Sequence, residues 1–83
     1  GLRTIALNGA QADGEAVARA VASALRPSDE LLTVITGRNA GRDVGALAAS
    51  AAVGARGHVV GEDVEVAIHA GGQEHPDVLI AIE

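Results

Sequence analysis

The sequence predicts a small α/β domain of two-layer α+β type, with element order β-α-β-α-β-β. Its four strands form one mixed sheet, and its two helices pack on one face. Three observations predict this. Two short, β-branched apolar runs, Leu31–Thr36 and Val78–Ile82, read as buried strands. Val17, Ala20, Val21, Ala24 and Leu25 recur at helical spacing. Val64, Val66 and Ile68 alternate with polar or small residues, as in a strand with one buried face.

Each element has local support. Arg3–Leu7 is strand-forming and is stopped by Asn8-Gly9, a turn signal. Asp13 is a helix N-cap and Glu15 suits the positive end of the helix that follows. Pro27 closes that helix, because the residue before a proline avoids the helical region. After Leu31–Thr36, Gly37–Gly41 is a loop, and a second helix carries Val44, Leu47, Ala48 and Ala51 on one face. Gly45 weakens this helix, and Gly54 and Gly57 end it. The third strand spans Asp63–His69, Gly71-Gly72 turns the chain, and Val78–Ile82 follows. These last two strands can pair as an antiparallel hairpin across the short loop that contains Gly71-Gly72.

Composition bounds what such a domain does. With 83 residues it is one domain, spanning 1–83, and it buries only about 60% of its unfolded surface. Hydrophobic residues make up 48% of the chain, yet none is Phe, Tyr, Trp or Met. The core is therefore built from Ala, Val, Leu and Ile, each burying modest area. A partner surface is expected, supplied by the remainder of a longer chain or by a second copy. The opening Gly1–Ile5 reads as a cut inside a longer protein, which makes this a C-terminal fragment in expectation.

Without cysteine there is no disulfide framework, thiolate nucleophile or cysteine-based zinc site. The net charge is −5, all six basic residues are scattered arginines, and no aromatic ring is available to stack on a base, so nucleic acid is not expected as a partner. The apolar runs are too short to span a membrane, and a cytoplasmic location follows as the expectation. Abundant Ala, Gly and Arg without Lys suggests a bacterial source.

Few residues offer chemistry. Gly37, Arg38 and Asn39 lie between a strand and a helix, where free N–H groups and a helix dipole could hold a phosphate or carboxylate. The loop lacks the spacing and lysine of a P-loop. His69 and His75 flank the Gly-Gly turn, with Glu74 and Glu65 near in sequence, but zinc-ligand spacing is missing and His58 stands apart. Ser23, Ser28 and Ser50 have no histidine in pattern with them, so no nucleophile–base pair emerges. The domain does not read as an enzyme in itself. Gly71-Gly72-Gln73 also occurs in peptide-release factors, but an acidic chain has no surface for tRNA. Locally, the glycines permit positive φ and Gln73 bonds to the turn.

The ending, His69-Ala70-Gly71-Gly72-Gln73-Glu74-His75 followed by Leu79-Ile80-Ala81-Ile82-Glu83, resembles the C-terminal domain of the dihydroxyacetone-kinase-like, fatty-acid kinase (Dak-phosphatase-like) family. Upstream, Leu32–Gly37 is similar to that family's preceding strand and its closing glycine, so the resemblance covers roughly residues 30–83. The chain departs from the family where Glu74 replaces a proline, Pro76 an aromatic residue, and Arg42 an acidic helix start. The resemblance implies a non-catalytic domain that engages a fatty-acid-binding partner protein or packs on its own kinase chain. ATP and magnesium are implied for the parent's separate kinase domain, and no cofactor for this one. Gly37, Gly71, Gly72 and Gln73 match family positions, and the contact surface is expected at the Gly-Gly-Gln loop, His69, His75 and the edge strand. Two readings compete: an anion-binding regulatory module at Gly37, Arg38 and Asn39, and an enzyme fragment acting through His69, His75 and Glu74.

Overall fold

The computed structural model describes residues 1–56 and 64–83, with the side chains of 55 and 56 left aside. Gly57, His58 and Asp63, invoked above, lie outside the described residues. The elements are β1 (Arg3–Leu7), a 3-10 turn (Gly9–Ala12), α1 (Gly14–Ala24), β2 (Leu31–Thr36), α2 (Val44–Arg56), β3 (Glu65–Ala70) and β4 (Val78–Ile82). Two helices and a four-stranded mixed sheet form two layers, as the sequence pattern predicts.

The strand order corrects one expectation. The sheet runs β1-β4-β2-β3, so β3 and β4 do not form a hairpin. Instead β4 enters the middle of the sheet, antiparallel to both β1 and β2, while β3 lies at an edge, parallel to β2. The physical reason is burial. β4 is apolar at every position, and Val78, Ile80 and Ile82 are wholly buried. Only a central strand provides that enclosure. β3 carries Glu65 and His69 and stays largely exposed, which suits an edge.

One side of the sheet forms the core. Leu32 and Val34 from β2 meet Val78, Ile80 and Ile82 from β4, under Val17 and Val21 of α1 and Val44, Ala48 and Ala52 of α2. Ile5, Leu7 and Val66 extend it on the flanking strands. The helices approach closely through small residues. A Cβ on Gly14 would collide with Cδ1 of Leu47, and one on Gly45 would lie 2.9 Å from Cγ2 of Ile68. Gly45, which costs intrinsic helix stability, is thus what allows α2 to settle on β3.

α1 begins as its sequence directs. Asp13 accepts a hydrogen bond from the Ala16 N–H at 2.8 Å, and Glu15 pairs with Arg19 one turn on at 2.9 Å. The helix ends at Leu25, already extended, ahead of Pro27.

β1 is an edge strand pinned at both ends. At its start, the Arg3 guanidinium forms a forked pair with Asp29, donating to its two carboxylate oxygens at 3.0 and 2.6 Å. Arg3 also donates to the Ala24 carbonyl at 3.2 Å, and Asp29 accepts from the Arg26 N–H at 2.6 Å. Asp29 is 3% exposed and is the buried charged residue of the described core. At the far end, the Asp77 N–H donates to Asn8 Oδ1 at 3.0 Å, and the Gly9 N–H donates to Asp77 Oδ2 at 2.9 Å.

Hydrogen bonding from Arg3 outweighs the cost of burial and, with the Arg26 N–H, holds the Asp29 carboxyl well below its ordinary value, at about 2. A depressed folded-state value gives stability that is present above the unfolded carboxyl's range and lost as pH falls. Thermal midpoints should therefore drop as pH falls from about 4 to about 2. In Asp29→Asn the midpoint should be lower at pH 7 and this part of the acid dependence should vanish, as read by circular dichroism melts.

Candidate docking face and its rim

Strand alternation sends the other half of the side chains to the opposite side of the sheet, where no described helix lies. The register builds this face row by row. Thr4, Ala81, Thr33 and Ala67 stand side by side across the four strands, and Ala6, Leu79, Ile35 and His69 form the adjacent row. Leu31 sits beside Glu65 at the other end. None of Leu31, Ile35 and Leu79 belongs to the core cluster, although each is half-buried by its neighbours in the sheet. The face is thus a floor of small residues beside a Leu79–Ile35 ridge. Its charged or titratable members, Glu65 and His69, are confined to the β3 edge.

The rim at the carboxyl ends of β1, β2 and β3 brings together the residues singled out in the sequence. The Gly37 N–H donates to the Asp77 carbonyl at 2.7 Å, and the Arg38 N–H to the Gln73 carbonyl at 3.0 Å. Gly71 and Gly72 both donate to the Thr36 carbonyl, at 2.9 and 3.3 Å. Gln73 Nε2 donates to the Pro76 carbonyl at 3.1 Å, closing a loop that contains a cis His75–Pro76 bond. Gly72 has φ of +69°, a conformation that favours glycine. The glycine ending β2 and the Gly-Gly-Gln segment, far apart in sequence, are therefore one hydrogen-bonded cluster.

Gly37 is buried because this cluster leaves it no room. A Cβ there would lie 2.7, 2.9 and 3.0 Å from the carbonyl oxygens of Gln73, Pro76 and Asp77. Backbone oxygens held by a closed loop cannot give way as a side-chain tip can.

The same contacts reposition the anion reading. Gly37, Arg38 and Asn39 are not at a helix start: α2 begins at Val44, and the Leu47 N–H donates to the Asp43 carbonyl at 2.9 Å. The N–H groups of Gly37 and Arg38 point into the loop cluster rather than toward a ligand. The Arg38 guanidinium reaches Glu74 at 3.4 Å in an exposed pair, and Asn39 is exposed.

His69 and His75 are exposed, the first on the open sheet face and the second in the loop ahead of Pro76. Among the described residues, no group of three or more His, Asp or Glu side chains is arranged to hold a metal ion. No helix among them is long and apolar enough to cross a membrane.

Sequence reasoning missed Asn8, Asp29 and Asp77. Asn8 and Asp77 flank apolar runs as turn residues, which is their only local signal. Asp29 follows Pro27-Ser28 in the same way, and nothing nearby marks Arg3 as its partner.

No protein-family model, curated protein or solved structure matches the chain.

Gly37→Ala should destabilise the domain by about 1–3 kcal/mol through overpacking against fixed carbonyls. Gly54→Ala, on the exposed side of α2 with open space around it, should stabilise it by about 0.5–1 kcal/mol. Urea unfolding of the two variants measures both, and the opposite signs separate loop crowding from helix propensity.

Proposed function

We propose that this chain is a non-catalytic docking domain of the kind that ends fatty-acid kinases of the dihydroxyacetone-kinase-like type. Its open sheet face receives a fatty-acid-binding protein, whose bound acyl carboxylate is thereby brought to a kinase domain elsewhere in the parent chain. The observation that carries the reading is the uncovered face itself. Its middle holds Thr4, Ala81, Thr33, Ala67, Leu79 and Ile35 without a charge, and desolvating such a surface against a partner is favourable. The resemblance supports the choice of partner, because the glycine and Gly-Gly-Gln positions that carry it meet at one rim of that face.

The role of the Gly-Gly-Gln loop changes in this reading. Gln73 is tied to Pro76 and Arg38, so the loop shapes the rim and the adjoining face makes the contact. The anion-binding alternative has less support, since the backbone donors of Gly37 and Arg38 already have protein acceptors.

Calorimetric titration of the 83-residue chain with a purified, acyl-loaded fatty-acid-binding protein tests the proposal. Saturable binding should be lost in Ala81→Arg, which places a charge on the floor of the face. It should persist in Glu15→Ala, on the exposed side of α1. Absence of binding, or binding indifferent to Ala81→Arg, overturns the reading.

A further inference from the structure

We infer that β3 pairs with β3 of a second copy, antiparallel about Ala67, to join two sheets into one continuous sheet. The inference goes beyond the docking role and uses a different surface, the outer edge of the sheet. Among the described strands β3 has a neighbour on one side only, β2. The N–H groups of Glu65 and Gly71 donate toward β2, to the carbonyls of Glu30 and Thr36. By alternation, the N–H and C=O groups of Val66, Ile68 and Ala70 face outward, presenting a ladder for another strand.

The two edges of the sheet are not equivalent. β1 carries Arg3 on its inward side, an inward-pointing charge that disfavours pairing with another sheet. β3 has no proline, lysine or inward charge over Glu65–Ala70. It also leaves Ile68 47% exposed, a large apolar side chain at the very edge.

The occupant follows from the chemistry of the strand, which is self-complementary about Ala67: Glu65 and His69 stand two positions to either side of it, and Val66 and Ile68 one. In the antiparallel register centred there, Val66 stands opposite the partner's Ile68, on the helix side. Both residues have outward-facing backbone groups, so they form a hydrogen-bonded pair exchanging both bonds. Ala67 meets the partner's Ala67 at the two-fold axis. Glu65 stands opposite the partner's His69, on the open face, in the non-hydrogen-bonded pair where side chains approach most closely. Two such carboxylate–imidazole pairs flank the axis, and the exposed Ile68 is covered by the partner's Val66. A shift of one residue would place Glu65 opposite the partner's Ala70 and lose both pairs. The interface is isologous, as a two-fold dimer requires.

Sedimentation equilibrium of the 83-residue chain tests this, with circular dichroism confirming that each variant is folded. The unaltered chain should dimerise, and the amides of Val66 and Ile68 should become protected from exchange as concentration rises. Glu65→Lys or His69→Glu alone should weaken dimerisation by about tenfold, because each change acts twice across the axis. Combining them should restore it, since the two changes together set opposite charges across from each other. A chain that remains monomeric at millimolar concentration overturns the inference. So does a dimer indifferent to the single changes, or one that the double change fails to rescue.

Discussion

The structure depends on where its last strand goes. β4 inserts between β1 and β2 and is antiparallel to both. Val78, Ile80 and Ile82 thereby become the centre of a core that holds no aromatic ring. With only Val, Ile, Leu and Ala available, burial has to come from enclosure on every side rather than from large side chains. A strand flanked on both sides and covered by two helices gives the apolar end of the chain that enclosure. The other connections adapt to it: the β1–α1–β2 crossover spans the gap that β4 fills, and β3 is left outside.

That placement has consequences at both ends of the sheet. β1 touches the rest of the sheet only through β4, and it is fastened at its start by Arg3–Asp29 and at its end by the bonds of Asp77 with Asn8 and Gly9. The entry into β4 also fixes the rim, since the carbonyls of Gln73, Pro76 and Asp77 close around Gly37. The Gly-Gly-Gln segment is therefore explained first by the chain reversal it makes from β3 to a strand two positions away. Its contribution to binding is indirect, through the shape of the face beside it. Because both helices lie on one side, the opposite side keeps a broad, uncharged middle, and this asymmetry is the basis of the docking proposal.

Element types were legible in the sequence wherever a period or a cap was strong. The α1 stripe, the Asp13 cap and the two apolar strands reflect local physics, and local physics is written in neighbouring residues. Strand order was not legible, because adjacency of β3 and β4 in sequence suggests a hairpin while the greater burial of β4 favours the sheet centre. The 3-10 turn at Gly9–Ala12 had no periodic signature in so short a stretch. Of the site, the sequence singled out Gly37 and Gly71–Gln73 separately, but their convergence depends on long-range pairing. Asp29 carried no sign of burial in its neighbours, since the arginine that allows it lies 26 positions away.

The enclosed core, the rim and the open face all require β4 to be an interior strand, and amide hydrogen exchange followed by NMR tests that most directly. Hydrogen-bonded to β1 on one side and β2 on the other, β4 should show slow exchange at successive amides from Leu79 to Ile82, matching global unfolding. A β4 lying at the edge in a hairpin with β3 would expose every second amide to solvent. Fast exchange alternating with slow along Leu79–Ile82 would contradict the sheet order, and with it the enclosed core, the rim and the open face.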